Sequence, residues 1–318
     1  MFEKLGENGW TWRWWTALRF TLGLYVAGHF ALLIPWAGEL FSGQGMLPDG
    51  AVSPILYAFP NVLAIADGPV MTTAVVVTGT LAGTALMWGK WPRVATVVAW
   101  YALACLLGRN PLILNPALPH IGWLLLFFAA VPGRWEDGEW KLPKELYAAG
   151  WLMMGLAMSW SAVTKLGSPS WIDGSALFWV WNNPLARDTV LREALVTAPS
   201  WPLKLATWGA LILELAALPA ALWPRLRPYV WWALLAMHLG LLMTVNFTDL
   251  TLGMLVVHAA LFDPRWLRAY RPIQWAKTAA MTPPAITTAS VAISNEKAGN
   301  IAAAMAQRIS APVRIHSP

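Results

Sequence analysis

The sequence predicts an all-α fold, a polytopic transmembrane helical bundle of about eight spans with both termini in the cytosol. Three observations predict it. Of the 318 residues, 58% are hydrophobic and 12% are charged, whereas a soluble domain carries roughly a quarter charged residues. The apolar residues fall in blocks close to the length of about 17 to 25 residues that crosses a bilayer. Most Lys and Arg residues flank these blocks on alternate sides, as the positive-inside rule requires. An ordinary soluble enzyme is therefore excluded.

The candidate spans are eight apolar blocks, taken in chain order: residues 17–36, 70–88, 94–107, 120–132, 147–163, 203–222, 229–245 and 250–262. The third, fourth and eighth blocks are short for a hydrocarbon core of about 30 Å. Their helices must extend into flanking residues, or be tilted or re-entrant. The first block contains His29 and no small-residue cleavage site, which indicates a retained anchor rather than a signal peptide.

The connecting segments indicate the sidedness of the protein. With a cytosolic N-terminus, most basic residues lie on the inner side, and the outer segment 37–69 contains no Lys or Arg. The outer segments 37–69 and 164–202 are too long for simple turns, and loops of this length are usually functional or partly helical. We expect them to cap a cavity on the extracytoplasmic side.

Beyond the spans, the composition bounds domains and partners. Residues 1–277 form the predicted membrane domain, and residues 278–318, rich in Ala, Ser, Thr and Pro, predict a low-complexity, disordered cytosolic tail. The net charge of +6 is not gathered in a stripe, so we expect no nucleic-acid partner. The single cysteine, Cys105, excludes a disulfide framework or a CxxC redox pair within one chain.

Ionisable side chains inside spans are costly and mark functional or pairing sites. The candidates are His29, His120, Lys165, Glu214, His238 and His258. The histidines are predicted at different depths, with His258 in the inner half, and no HxxxH pair is present, so we expect no metal centre. Glu214 and His238 lie at similar predicted depth on consecutive spans, which predicts a hydrogen-bonded or ionic pair, either structural or part of a proton relay.

The region from Ser159 to Asn183 contains the most informative residues. Lys165 ends an apolar block and is followed by a Gly/Ser/Pro break and then Trp171. One reading is a lysine that extends to water without a function. The other is a partly desolvated amine that acts as a general base. The 23 tryptophans likewise fit either anchoring at the membrane interface or the lining of an aromatic cavity.

Several motifs resemble those of the vitamin K-dependent γ-carboxylase-like family, the HTTM (horizontally transferred transmembrane) domain proteins. The run KLGSPSWIDG at 165–174 resembles that family's Lys-Leu, short gap, Trp, Gly signature. GMLPDG at 45–50, LLGRNPLILN at 106–115 and MHLGLLMTVNFTDLTLGMLVVHAALFDP at 237–264 are similar to further family segments and occur in the same order. The resemblance covers residues 13–265.

The resemblance implies a chemistry for the outer side. In the animal carboxylase, a lysine in the place of Lys165 is taken to deprotonate vitamin K hydroquinone, whose reaction with oxygen gives a base that removes a glutamyl γ-proton before carbon dioxide adds. It implies Lys165 as the catalytic base, with His120 and His238 as further catalytic residues. The cofactor-binding residues would be Trp171, Asn110, Asn115 and Glu214. The implied cofactor is a reduced quinone, with oxygen and carbon dioxide as co-substrates and no metal.

Two functions follow as alternatives. The large luminal domain of the animal carboxylase has no counterpart in this sequence, which resembles compact bacterial proteins of peptide-toxin maturation at least as closely. The first function is quinol-dependent, carboxylation-like modification of a peptide or small substrate in the bacterial cytoplasmic membrane. The alternative is a non-catalytic membrane factor that assists maturation or export of a secreted peptide. The expected partners are the lipid bilayer and a secreted peptide or partner membrane protein; a transporter is disfavoured because no inverted repeat is found.

Overall fold

The apolar blocks of the sequence fold into helices close to the predicted positions. A computed structural model describes residues 2–113, 115–132 and 140–268. Regular structure in this part of the chain is entirely helical, which confirms the all-α prediction. The predicted tail at 278–318 and the predicted domain boundary after residue 277 lie outside the described residues.

The described chain contains eight helices of 14 residues or more. They are α1 (Trp12–Leu33), α2 (Pro69–Trp88), α3 (Pro92–Arg109), α4 (Ala117–Ala130), α5 (Lys144–Lys165), α6 (Ser200–Leu222), α7 (Arg227–Thr244) and α8 (Thr248–Leu261). Their starts fit local chemistry, because α2, α3 and α7 each have proline in the first turn, where its missing N–H has no helical partner anyway.

Shorter helices lie at the ends of the described chain, directly after α1, in the two long outer segments and in the loop between α3 and α4. They are Phe2–Gly6, Ile34–Trp36, Ala37–Phe41, Gly50–Val52, Val62–Ile65, Pro111–Ile113, Pro169–Ile172, Ala176–Trp181, Val190–Thr197 and Arg265–Arg268. Segments 37–69 and 164–202 are thus partly helical, as their length predicted. We call residues 166–199, between α5 and α6, the cap segment.

Four helical stretches are long and apolar enough to cross a membrane: Trp12–Phe41, Pro69–Trp88, Lys144–Lys165 and Ser200–Leu222. The apolar helices α4 and α8 have 14 residues each, or about 21 Å of helix, which is less than the bilayer core. Helix α3 extends beyond its predicted block, to Pro92 and Arg109. The count of eight spans remains a prediction.

The long helices pack mainly against their neighbours in the sequence, and α8 joins the two halves. Helices α1 to α4 pack in succession, as do α5, α6 and α7. Helix α8 contacts α1, α4, α5 and α7. Helices α1 and α2 approach so closely that a Cβ atom at Gly23 would lie 2.3 Å from the Met87 nitrogen, the small-residue packing common between membrane helices.

By its contacts the chain divides into two units, Met1–Arg265 and Trp266–Pro318. The first contains α1 to α8 and all the sites discussed below. Of the second, the structure describes residues 266–268, which belong to the short helix Arg265–Arg268.

Candidate functional site

A cavity of about 620 Å³ lies among α4, α5, α6, α7, α8 and the cap segment; we call it the first cavity. Most of its wall is apolar and consists of Pro116, Ala157, Met158, Leu177, Val180, Leu191, Leu195, Ala206, Ala210, Leu213, Met237, Gly240, Leu241, Leu250 and Met254. Its polar and aromatic side chains are His120, Ser161, Lys165, Trp171, Trp181, Glu214, His238 and Thr244. Five residues singled out from the sequence therefore meet here: Lys165, His120, His238, Trp171 and Glu214.

Lys165 and Glu214 form an ion pair in this cavity. Lys165 is the last residue of α5, because the Gly-Ser-Pro run at 167–169 ends that helix, and its Nζ donates a hydrogen bond to Glu214 Oε1 in α6. The side chains are 25% and 8% exposed, respectively. The Lys165 amine also lies 4.8 Å from the centre of the Trp171 ring, a cation–π contact.

This pairing corrects one prediction. Glu214 is bonded to Lys165 and not to His238, so the predicted Glu214–His238 pair is wrong. The physical reason is that α5 and α6 pack side by side, and the long lysine side chain reaches the carboxylate. The other carboxylate oxygen, Oε2, is buried with no hydrogen-bond partner among the described residues.

His120, in the wall of the same cavity, has one ring nitrogen without a described partner. Its Nδ1 lies 2.9 Å from the Pro116 carbonyl oxygen. Because a carbonyl only accepts, Nδ1 carries the proton in this contact, and Nε2 of the neutral ring is an acceptor. Nε2 is buried and has no partner in the described part of the chain.

His238 contacts a second histidine. Its Nδ1 lies 2.8 Å from the Leu234 carbonyl oxygen and 3.1 Å from Nε2 of His258. The two rings are therefore in contact, although the sequence predicted His258 nearer to the inner side than His238. In the described ranges no three His, Cys, Asp or Glu side chains are placed to hold a metal ion.

The cap segment is built from local turns that place its aromatic rings on the first cavity. Pro169–Ile172 carries Trp171, and Ala176–Trp181 carries Trp181, whose ring nitrogen is buried without a described partner. The Trp181 carbonyl accepts a hydrogen bond of 2.6 Å from Arg192 Nε. Sequence reasoning missed Trp181; the signal available was its place in an apolar, aromatic helix directly after the Lys-to-Gly motif.

Asn110 and Asn115 lie elsewhere, although they were predicted to bind the same cofactor. Both line a second cavity of about 240 Å³. Asn110 Nδ2 donates a hydrogen bond of 2.7 Å to the Leu40 carbonyl oxygen, and Asn115 Nδ2 donates a hydrogen bond to the Asp249 carboxylate. Asp249 in turn bonds His29. The sequence singled out His29 but did not indicate that Asp249, 220 residues away in the chain, is its partner.

The first cavity thus combines an apolar wall, one buried ion pair and buried polar atoms that have no partner in the described chain. Among the tryptophans, Trp171 and Trp181 line this cavity, whereas Trp88 and Trp91 are 67% and 79% exposed; anchoring at a membrane interface stays a prediction. The assignment to the HTTM family stays a prediction from motif resemblance. Comparison of the chain with family models, with curated proteins and with solved structures finds no match.

Proposed function

We propose that the protein is an integral membrane enzyme that binds a reduced quinone in the first cavity, with Lys165 as general base. The reaction would be a carboxylation-like modification of a peptide or small substrate. The proposal includes eight spans, cytosolic termini and a first cavity on the outer side of the bacterial cytoplasmic membrane. The distribution of basic residues supports this orientation, because segment 37–69 between α1 and α2 contains no Lys or Arg.

One observation carries the proposal: two buried hydrogen-bond acceptors without described partners belong to side chains in the wall of a mainly apolar cavity. They are Nε2 of His120 and Oε2 of Glu214. A buried polar atom left unpaired costs about 1–3 kcal/mol, so a ligand that donates to both is favoured. A hydroquinone has two hydroxyl donors on an apolar ring, whereas the oxidised quinone has only acceptors. The site therefore favours the reduced form.

The size and wall of the cavity fit a ring of this class. Its volume of about 620 Å³ falls within the range of roughly 300–1,000 Å³ typical of small-molecule sites. Trp171 and Trp181 are aromatic residues of the wall, and offset stacking between two aromatic rings contributes about 0.5–1.5 kcal/mol. The indole N–H of Trp181 adds a donor for a phenolic oxygen.

Lys165 is the proposed proton acceptor for a hydroxyl group held beside it. Glu214 accepts a hydrogen bond from the lysine amine, and the Trp171 ring lies beside that amine, so both hold it in place. When bound, the reduced quinone supplies electrons for the reaction with oxygen, and carbon dioxide supplies the group that replaces a carbon-bound hydrogen of the substrate.

Binding tests the site directly. The protein in lipid nanodiscs is equilibrated with a short naphthohydroquinone under anaerobic reducing conditions, or with its oxidised form, and empty nanodiscs correct for partition. We expect the reduced form to bind at least about tenfold more tightly, a difference of about 1.4 kcal/mol. His120→Phe should remove most of this preference. Equal affinity for the two forms would overturn the assignment of the cavity.

Mass spectrometry of the host's secreted peptides tests the chemistry. Strains carrying wild-type protein, Lys165→Met or the matched control Lys204→Met are compared, because Lys204 is an exposed lysine of α6 outside the cavity wall. We expect a peptide heavier by one carbon dioxide in the wild type and in the Lys204 variant, and its loss with Lys165→Met. If membrane insertion is normal and no peptide mass differs, the enzyme assignment fails, and the non-catalytic maturation factor takes its place.

A further inference from the structure

We infer that the second cavity is a separate ligand site, which takes a compact molecule of the phenol class through His29. The inference is independent of the function proposed for the first cavity. The cavity of about 240 Å³ is formed by α1, α3, α4, the start of α8 and the short helix Ala37–Phe41. Its wall shares no residue with the first cavity.

The central observation is a histidine oriented by a carboxylate. His29 Nδ1 lies 3.1 and 3.2 Å from the two carboxylate oxygens of Asp249. A carboxylate accepts hydrogen bonds, so Nδ1 carries the proton and Nε2 is the acceptor of the neutral ring. No hydrogen bond to Nε2 occurs within the described chain. The site therefore offers one oriented acceptor.

Neighbouring groups fix both members of this pair. Asn115 Nδ2 donates to Asp249 Oδ2, and Tyr25 OH donates 3.3 Å to the Asp249 carbonyl oxygen. The His29 ring stacks on Tyr25 at 6.1 Å between centres and meets the edge of Phe30 at 5.6 Å. An acceptor held this firmly loses little freedom when a ligand binds.

The rest of the wall selects the ligand class. It is mainly leucine with two aromatic rings, Phe41 and Phe247. The two asparagine side chains already have partners. Asn110 bonds a backbone carbonyl and a backbone N–H group, and Asn115 bonds Asp249 and a backbone N–H group. The occupant therefore needs a small apolar body, best an aromatic ring, and one donor for His29 Nε2. A phenol meets these requirements, whereas an anion is repelled by Asp249.

Carbethoxylation of histidine by diethyl pyrocarbonate, mapped by mass spectrometry, tests the site residue by residue. The full chain in nanodiscs is treated alone, with 4-fluorophenol or with fluorobenzene, and free probe is measured in the aqueous phase. We expect His29 to react, and 4-fluorophenol to protect it at a free concentration at least about tenfold lower than fluorobenzene. A His29 that does not react, or equal protection by the two probes, would overturn the inference.

Two variants separate site binding from general effects. Asp249→Asn removes the group that orients the ring and should abolish the preference for the phenol while His29 still reacts. Leu33→Trp fills the cavity from its half-buried edge and should abolish protection by either probe. The double variant Lys165→Met/Glu214→Leu, which changes the first cavity and removes both charges of its ion pair, should leave protection of His29 unchanged. Loss of protection in that variant would place the phenol in the first cavity and contradict the inference.

Discussion

Lys165, at the end of α5, donates a hydrogen bond to Glu214, in the middle of α6, and both side chains lie in the wall of a mainly apolar cavity. The same two helices are also joined by Ser159 of α5, whose Oγ donates a hydrogen bond of 3.1 Å to the Glu214 carbonyl oxygen in α6. Helix packing and the ionic contact are thus coupled at one place. Removing one member of the pair would leave the other charge unpaired in apolar surroundings. This costs much more stability than removing both charges together.

Breaking this pair from one side should therefore destabilise the protein. We expect Lys165→Met to lower the free energy of unfolding by about 3 kcal/mol, the lower end for a buried pair because the lysine is a quarter exposed. The double variant Lys165→Met/Glu214→Leu should return to within about 1 kcal/mol of wild type. Denaturation in detergent measures both. If the effects of the single variants Lys165→Met and Glu214→Leu simply add in the double variant, the two side chains are not coupled.

The contact between α5 and α6 gives a second prediction. A Cβ atom at Gly155 would lie 2.9 Å from the Ala221 Cβ and 3.0 Å from the Ala217 carbonyl oxygen. Gly155→Ala should therefore separate the helices and lower stability by about 1–3 kcal/mol. It should also weaken hydroquinone binding, because Glu214 moves with α6.

Gly209, on α6, provides the matched control for that substitution. A Cβ atom there meets nothing within 4 Å, and alanine is favoured over glycine in a helix by about 1 kcal/mol. Gly209→Ala should be neutral or stabilising and should leave binding unchanged. Equal destabilisation by the two alanine variants would contradict the close packing at Gly155.

Helix positions could be predicted from the sequence because lipid requires backbone groups to be satisfied within long apolar helices. The blocks 70–88 and 203–222 nearly coincide with α2 and α6. Side-chain partners could not be predicted in the same way. Residue number gives depth along a span but not the direction in which a side chain points, so Glu214 was assigned to His238 when its partner is Lys165.

The contact between His238 and His258 shows a second reason why side-chain partners could not be predicted from the sequence. Counted from the facing ends of α7 and α8, His238 and His258 differ by about four residues, or about 6 Å of helix rise. The two imidazole side chains nevertheless meet, with 3.1 Å between His258 Nε2 and His238 Nδ1. The His29–Asp249 contact depends on packing between α1 and α8, and no local pattern in the sequence indicates it.

The turn after Trp171 gives a prediction about pH. Asp173 Oδ1 accepts 2.8 Å from the Ser175 N–H, and hydrogen bonds from Ser175 hold the pKa of Asp173 below its usual 3.8. The intervening Gly174 has φ of +82°, a conformation that favours glycine. Because the pKa of Asp173 is lower in the folded protein than in the unfolded chain, its ionised carboxylate stabilises the turn at pH values above the unfolded pKa. This stabilisation is lost only as the pH falls through the folded-state pKa.

Asp173→Ala should therefore loosen the position of Trp171 and weaken hydroquinone binding several-fold. Because the carboxylate stays ionised, the ratio of mutant to wild-type affinity should be the same at about pH 5.5 and about pH 8. Equilibrium binding at the two pH values measures it. A ratio that approaches one at the lower pH would mean that Asp173 is already protonated there, contrary to the direction of its pKa.

The last prediction concerns how the cap segment is held over the first cavity. Arg187 Nε donates a hydrogen bond of 3.0 Å to the Val245 carbonyl oxygen, and its Nη2 donates one of 2.7 Å to the Thr248 hydroxyl. Its backbone N–H also bonds the Thr244 carbonyl at 2.8 Å. Arg187 thereby fastens the cap segment to the loop between α7 and α8, and Thr244 itself lines the cavity.

Arg187→Ala removes two side-chain hydrogen bonds, each contributing about 0.5–1.5 kcal/mol, from this attachment. If the cap segment limits ligand exit, dissociation of the hydroquinone should accelerate about tenfold while its association rate changes little. Stopped-flow release into excess empty nanodiscs measures the rate, and hydrogen exchange of residues 183–197 should rise in parallel. Val190→Ala is the control, since Val190 is 85% exposed and lies outside the wall. Faster exchange with an unchanged release rate would mean that the ligand leaves between the helices, toward lipid, rather than past the cap segment.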